Sequence, residues 1–500
     1  APGELSVAQV EGALLDELTL QSLTYEQEGG LRVAIPRLYL NWEPSALLSL
    51  TAHVISLEVD QPTLVLPYTE PEEEPVGETP LFPISLPNVS LPVQLAIDNA
   101  TITGVTLQPT LADGSPGVVQ TIDNLWLKTH TEGNQLIIDQ LAISAPQGKA
   151  EIAGDVTPTD AYPLDLSVNW SVNLPDKSPL VGEGKLTGNT DALELTQQLS
   201  GLLKAKLVLT LNDVLQAPTG TLTLDQFLVD LGVAAPDFAG QTVSGSADIG
   251  FDMEQVTVTS LAFTQDQSKG TVTLSGDVSH IQEQPTFDLN GVWKGLRYPL
   301  TGDTLLAGSE QGTLSVTGPL DGYTIAMSTQ LNGDAIPAGQ WQLNAQGSTE
   351  RFKQFSLTGN ALEGELAVTG NAQWAPQVKW QVALTGKGIN PGAQWPEWPG
   401  KLTTELTSQG QISTAGVLSL TADIKQLTGS MREQSVGGQG KVALNGDVVN
   451  IEQLRLSMAG AELTTSGRLA NNLDLNWALK APKLADILPN AQGSITGQGT

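Results

Sequence analysis

The chain contains no cysteine among its 500 residues. Disulfide bonds, thiolate metal sites and a cysteine nucleophile are therefore excluded. The absence of stray thiols fits an oxidising compartment such as a periplasm, where an unpaired cysteine is a hazard.

Charged residues are also scarce, and most of them are acidic. They make up 15% of the chain, with 54 Asp and Glu residues against 23 Lys and Arg residues and a net charge of −31. A surface this negative repels phosphate backbones, so the sequence predicts no nucleic-acid partner. In a long β-protein, the same charge keeps strand edges from associating.

Signatures of catalysis are missing as well. The three histidines, His53, His130 and His280, lie far apart, and none stands in a HExxH-type metal spacing. No GxSxG, P-loop or helix-opening GxGxxG motif occurs, and we interpret the glycine-rich residues 436–440 as a turn. The sequence therefore predicts no enzyme, no metal site and no cofactor.

Long apolar runs are absent too, since none approaches the roughly 20 residues that span a bilayer. The chain opens with APGELSVAQV, without an initiator Met, and closes with GSITGQGT in the middle of a strand pattern. We therefore expect an interior length of a longer protein, truncated at both ends.

Turn residues and short alternating runs are abundant. The chain has 51 Gly and 30 Pro residues, and 40% of its residues are hydrophobic. This mixture, with Thr, Ser, Leu and Val throughout, favours many short strands joined by turns. The sequence predicts an all-β protein with few short helices.

Three regions follow one another along the chain. Residues 1–66 alternate as strands around one short helix or turn, EPSALLSL, in which Pro44 suits the first turn. Residues 67–83 are rich in Pro and Glu and are interpreted as a solvated loop. Residues 84–500 alternate almost throughout and form the repeated part.

One strand phrase recurs in the repeated part at intervals of roughly 100 residues. Its four copies are KAEIAGDVTP, KGTVTLSGDVSH, GELAVTGNAQ and AELTTSGRLA. Each copy centres on a glycine, and each is followed within about 25 residues by a strand that carries a tryptophan. The glycines are Gly154, Gly276, Gly370 and Gly467, and the tryptophans are Trp170, Trp293, Trp380 and Trp477.

The phrase has one apolar and one polar face, because side chains alternate along a strand. A glycine on the apolar face permits a bend or a close approach of the backbone. Residues such as Thr273 and Asp277 occupy the other face. The apolar positions that we select as candidate lining residues are Ile152, Val156, Val272, Leu274, Val278, Leu366, Val368, Leu463 and Leu469.

Periodicity alone leaves the destination of the apolar face open. A second sheet could cover it in a sandwich, or the sheet could close into a barrel. A third arrangement stacks repeat on repeat into a long, twisted sheet that curls around an apolar groove.

Several longer stretches resemble one family. These are GVWKGLRYPLTG, LTGNALEGELAVTGNAQWAPQVKWQVAL and NPGAQWPEWPGKL, and the first region contributes VEGALLDELTLQSLTYEQEGGLRVAIPRLYLNWEPSALLSL. Their order resembles that of the TamB family, the inner-membrane subunits of the translocation and assembly module. This family belongs to the AsmA-like, bridge-like lipid transfer group, and the resemblance covers essentially the whole chain.

The resemblance implies an elongated, taco-like β-groove in the periplasm of a Gram-negative bacterium. It also implies a conduit that moves phospholipids between the inner and outer membranes, with the nine apolar residues above contacting acyl chains. By the same resemblance, we expect the family's inner-membrane helix and the region that binds the TamA-type outer-membrane barrel to lie outside this chain.

Other interpretations stay open at this point. The sheet edge could pair with nascent outer-membrane barrel strands, which would make the protein an assembly scaffold or chaperone. A passive stalk with a dry core, or a carbohydrate-active enzyme with paired carboxylates, would also be acidic β-proteins. For Trp395 and Trp398 in QWPEWPG, we favour packing into a corner of the sheet over contact with lipid headgroups or carbohydrate.

Overall fold

The protein is described from a computed structural model. The described residues are 3–27, 30–68, 83–89, 92–111, 115–175, 177–233, 238, 240–470, 473–486 and 492–500. They are built almost entirely of β-strands, and the chain divides into two compact units, Ala1–Met253 and Glu254–Thr500. The prediction of an all-β, repeat-built fold with few short helices is confirmed.

The first unit contains fifteen named strands. They are β1 Gly3–Gly12, β2 Glu17–Gln27, β3 Arg32–Glu43, β4 Thr51–Asp60, β5 Thr63–Leu66, β6 Gln94–Pro109, β7 Gln120–Glu132, β8 Gln135–Ala145, β9 Gly148–Val156, β10 Leu164–Val172, β11 Leu180–Gly188, β12 Ala192–Gly201, β13 Leu203–Asn212, β14 Thr219–Asp230 and β15 Thr242–Phe251. Short 3₁₀ helices cover Pro44–Ser49 and Leu231–Val233.

The second unit contains sixteen named strands. They are β16 Gln255–Gln265, β17 Thr271–Ser279, β18 Thr286–Tyr298, β19 Ala307–Pro319, β20 Tyr323–Asn332, β21 Gly339–Gly347, β22 Arg351–Ala361, β23 Gly364–Gln373, β24 Val378–Ile389, β25 Gly400–Ile412, β26 Leu418–Met431, β27 Gln434–Asn445, β28 Val448–Met458, β29 Ala461–Leu469, β30 Leu473–Ala481 and β31 Ile495–Gly499. Its 3₁₀ helices cover Pro391–Ala393 and Leu484–Asp486.

Within each unit, nearly every strand pairs antiparallel with the next strand along the chain. The exception is in the first unit, where β6 pairs in parallel with both β4 and β5. Parallel neighbours need a crossover connection of a dozen or more residues, whereas antiparallel neighbours need only a tight turn. Residues 67–93 lie between β5 and β6 and have the required length, while the solvated loop at 67–83 stays a prediction. Residues 69–82 of that loop lie outside the described residues.

The predicted helix at Pro44 is confirmed. It is the 3₁₀ helix Pro44–Ser49, with proline in its first turn, where the fixed backbone angle of proline suits a helix and a missing N–H costs nothing. The interpretation of residues 436–440 as a turn is wrong, because they lie inside β27. Gly440 has a φ of 158° and pairs with Ile424, next to a bulge between Ile424 and Leu427 on β26. The glycines of this segment are therefore part of the sheet rather than of a loop.

The four repeat glycines share one backbone geometry. Gly154, Gly276, Gly370 and Gly467 have φ values of 139°, 132°, 159° and 129°. A Cβ atom at any of the four would lie 2.0 to 2.2 Å from a carbonyl oxygen of the following strand. In each copy, the preceding strand also carries a β-bulge next to the residue that pairs with the glycine. The predicted close approach is confirmed, and the bulge accompanies it.

Few side chains in this fold are fully enclosed. Among the described residues, no large side chain is completely buried, and most of the buried apolar residues are alanines. The larger ones are Val59, Leu199, Phe227, Leu300 and Ile389. The apolar side chains of the sheets are therefore half-buried by their neighbours on the same face rather than enclosed by a second layer.

Candidate functional site

The apolar face of the second unit carries a continuous row of directly paired residues. The row crosses all sixteen strands, β16 to β31, because paired residues on adjacent strands point to the same face. Thr465 is its one polar member. We call this row of the second unit row 2. It consists of Leu261, Leu274, Gly291, Leu314, Met327, Leu343, Leu357, Val368, Leu384, Leu406, Ile424, Gly440, Leu454, Thr465, Trp477 and Gly499.

The first unit carries an equivalent row. It crosses fourteen strands and passes through the parallel pair β4–β6 without a break. Gln197 is its one polar member; the side-chain amide donates to the carbonyl of Val168 at 3.2 Å, and Oε1 has no partner. Row 1 consists of Gly12, Leu18, Leu40, Leu57, Ala100, Leu127, Leu141, Ile152, Val168, Gly184, Gln197, Leu207, Leu224 and Ala247.

The nine predicted lining residues are all half-buried. Ile152 lies in row 1, and Leu274 and Val368 lie together in row 2. Val272 precedes Leu274 by two residues on β17, and Leu366 precedes Val368 by two residues on β23. Both therefore lie on the same face as row 2. The others pair with apolar residues of adjacent strands: Val156 with Leu136 and Leu164, Val278 with Val256 and Phe287, Leu463 with Leu456 and Leu479, and Leu469 with Val449.

The opposite face is mostly polar. One residue away from row 2, the directly paired positions from β17 to β25 are Thr273, Val292, Thr313, Ser328, Gln342, Thr358, Ala367, Thr385 and Glu405. Asp277 lies on this face and accepts hydrogen bonds from Thr257 at 2.6 Å and Gln255 at 2.7 Å. These two bonds, that of Thr257 first, hold the pKa of Asp277 below its ordinary value. Its carboxylate belongs to the hydrated side of the sheet.

Tryptophans on the apolar face lie over glycines of the next strand. In five pairs, a Cβ atom on the glycine would fall within 2.8 Å of an indole atom. The sequence repeat indicated four of these tryptophans, but it did not indicate that glycine is their partner, and it missed Trp341. The pairs are Trp170–Gly182, Trp293–Gly312, Trp341–Gly359, Trp380–Gly410 and Trp477–Gly499.

The prediction that Trp395 and Trp398 pack into a corner is wrong. Their exposed fractions are 52% and 40%. The backbone N–H of Trp398 donates to the carbonyl of Trp395 at 2.9 Å, so a tight turn between prolines presents both indoles outward. The guanidinium of Arg432 lies 4.5 Å from the centre of the Trp398 ring. This cation–π contact stabilises the position of the Trp398 indole.

One histidine joins three strands of the first unit. His53 on β4 lies between two carboxylates, with Nδ1 3.1 Å from Glu43 on β3 and Nε2 2.9 Å from Asp98 on β6. Asp98 and then Glu43 raise the pKa of His53 above its ordinary value. Both ring nitrogens are donors only in the protonated ring, so this arrangement favours the imidazolium and acts as an ionic clasp beside the parallel pair.

The other two histidines lie elsewhere in the fold. His130 lies 3.0 Å from Asp139 across the β7–β8 pair, and His280 follows β17 at the surface. Within the described ranges, no group of three or more His, Asp and Glu side chains is arranged to hold a metal ion. In the same part of the chain, no helix has both the length and the apolar character needed to cross a membrane.

The family model described as the N-terminal domain of TamB matches residues 1–108, 68–225 and 227–500. The chain belongs to the TamB family. The family resemblance predicted from the sequence is therefore confirmed.

One curated relative of this chain is the translocation and assembly module subunit TamB of Haemophilus influenzae. It is 23% identical over an alignment 535 positions long, which covers 99% of this chain. The same alignment covers 40% of the relative, so the chain spans about two fifths of that protein's length.

Proposed function

We propose that this chain is a length of a phospholipid conduit in the periplasm, with acyl chains moving along rows 1 and 2. The observation that carries the proposal is the continuity of the rows. Each joins strand after strand, and the leucine, isoleucine, valine and methionine side chains of both rows are half-exposed. The relative's name, a subunit of a translocation and assembly module, agrees with a transport role.

The energetics of lipid transfer favour such a surface over a single tight site. Each CH₂ group of an acyl chain that enters water costs about 0.8 kcal/mol. A continuous apolar row removes that cost at every position, and equivalent neighbouring positions leave no deep minimum in which a lipid would stall. The polar face, with Thr273 and Asp277, keeps the outside of the sheet hydrated.

A photo-crosslinking residue at Leu274, compared with one at Thr273, tests the proposal in full-length protein in cells. The two positions are adjacent on β17 but belong to opposite faces. We expect abundant phospholipid adducts at Leu274 and few at Thr273. Equal adduct yields at the two positions, or none at either, would contradict the conduit.

A scaffold for outer-membrane β-barrel assembly with a TamA-type barrel is the second candidate. The relative's name includes assembly, and among the described residues β1 pairs only with β2; a strand of a client protein could pair with such an edge by β-augmentation. Crosslinkers along β1 that capture barrel precursors, with no lipid adducts at Leu274, would favour this function over the conduit.

A further inference from the structure

Five exposed leucines gather at one strand-end of the first unit. Leu14 and Leu15 lie in the turn between β1 and β2, with exposed fractions of 63% and 73%. Leu47, Leu48 and Leu50 lie in or directly after the 3₁₀ helix between β3 and β4, and the exposed fraction of Leu48 is 92%. We call these five residues the leucine tip.

Strand register places the two parts of the tip side by side. Glu17, at the start of β2, pairs with Asn41 near the end of β3, so the β1–β2 turn and the 3₁₀ helix lie at the same edge. The indole N–H of Trp42 donates to the carbonyl of Leu14 at 2.6 Å and ties them together.

The tip is held in a defined shape. Leu50 has a φ of 56°, a left-handed conformation that leucine seldom adopts, and its N–H donates to the carbonyl of Leu47 at 3.0 Å. In the other part, the N–H of Ala13 donates to the carbonyl of Glu17 at 2.9 Å. A backbone that holds leucines outward in water, one of them in a strained conformation, indicates a contact surface.

Charge indicates which partner fits. Residues 13–15 and 44–50 contain no charged side chain, whereas Asp16, Glu17 and Glu43 flank them and the whole chain has a net charge of −31. These carboxylates repel anionic lipid headgroups, so the surface that fits the uncharged leucines is a zwitterionic bilayer.

We propose that the leucine tip docks the chain on a lipid bilayer by inserting its side chains among the acyl chains. The tip also adjoins the start of row 1, at Gly12 on β1 and Leu18 on β2. In a conduit, lipid would then pass from the bilayer onto row 1 at this edge. That consequence rests on the proposed function, but the docking itself does not.

The absence of cysteine allows a direct test, because a single introduced cysteine can be labelled uniquely. A spin label is placed by Leu48→Cys in the 500-residue chain, and its accessibility to oxygen and to a water-soluble nickel complex is measured with phosphatidylcholine vesicles. Val118→Cys is the matched control, since Val118 is 83% exposed outside the tip. We expect the label at 48 to enter the hydrocarbon and the label at 118 to stay in water.

Vesicle sedimentation gives a second measurement. The triple substitution Leu14→Ser, Leu15→Ser and Leu48→Ser should lower the fraction bound at least tenfold. The control triple Leu5→Ser, Val118→Ser and Val417→Ser removes as many exposed apolar residues from other places and should leave binding unchanged.

Three results would overturn the docking. In the first, the label at 48 stays in water when vesicles are added. In the second, both labels enter the hydrocarbon equally, which would indicate non-specific adsorption. In the third, the label at 48 is already shielded without vesicles, which would show that protein covers the tip. Loss of docking with lipid adducts retained at Leu274 would refute the tip alone, whereas docking without those adducts would refute the conduit.

Discussion

The repeat glycines provide the sharpest test of how this sheet is built. Gly276 has a φ of 132°, and a Cβ atom there would lie 2.0 Å from the carbonyl oxygen of Asp288 on the next strand. Alanine at this position therefore meets two penalties, one in the backbone conformation and one in the approach of two strands. Gly291 on β18 is a matched control, because its added Cβ would have its nearest neighbour at 3.5 Å.

The two substitutions should change the stability of the sheet in opposite directions. A non-glycine residue in a glycine-only backbone region costs about 1–3 kcal/mol, and loss of one ladder hydrogen bond adds about 1 kcal/mol. We expect Gly276→Ala to destabilise its part of the sheet by about 2–4 kcal/mol. Gly291→Ala should stabilise it by about 0.4–1 kcal/mol, because it restricts the unfolded chain without straining the folded one.

Hydrogen exchange followed by mass spectrometry is the appropriate assay, because repeat proteins open locally. A loss of 3 kcal/mol lowers amide protection roughly a hundredfold. We expect that loss in peptides from β16, β17 and β18, with peptides from β28 to β30 unchanged. Equal protection in the two alanine variants would refute the role assigned to the repeat glycines.

Three further predictions concern side chains named above. Gly312→Ala places a Cβ 2.1 Å from the Trp293 ring, so it should displace the indole and change near-UV circular dichroism, whereas Gly291→Ala should not. Since the folded-state pKa of His53 is raised, its clasp stabilises fully below the unfolded value of about 6.5 and is lost as pH rises through the folded value. The thermal midpoints of wild type and His53→Gln should therefore differ more at pH 6 than at pH 9, and a gap independent of pH would contradict the clasp. Arg432→Ala should make Trp398 fluorescence more accessible to acrylamide, as judged against a Trp398→Phe background, and unchanged quenching would exclude the cation–π contact.

Local patterns predicted much of the fold. Alternation placed Leu274 and Thr273 on opposite faces, and the spacing of Gly154, Gly276, Gly370 and Gly467 identified a unit that the backbone repeats with the same bulge. These features could be predicted because the face on which a side chain lies, and the local backbone conformation, depend on a few neighbouring residues. The predicted boundaries at 66 and 84 stay a prediction, while the compact units divide at Met253.

Features that depend on pairing between distant residues could not be predicted. The parallel pairing of β4 with β6 joins residues across the long 67–93 connection, and no local pattern encodes it. Glycines opposite tryptophans, such as Gly312 under Trp293, become visible only with the register. We predicted that Trp395 and Trp398 pack into a corner of the sheet, because large aromatic side chains are usually buried. The prolines in their turn, which hold both indoles outward, were the sequence evidence against that prediction.

The central claim is that row 2 carries lipid, and a charge placed in the row tests it most directly. Leu343→Asp puts a carboxylate in the row, whereas Gln342→Asp puts it on the polar face of the same strand. Leu343→Met preserves the volume and apolar character of the site and serves as a second control.

Phospholipid transport between the two membranes is measured for each variant in full-length protein, and hydrogen exchange of β20 to β22 shows that the sheet is retained. The conduit predicts that Leu343→Asp blocks transport while Gln342→Asp and Leu343→Met support it. Undiminished transport by a folded Leu343→Asp variant would contradict the conduit.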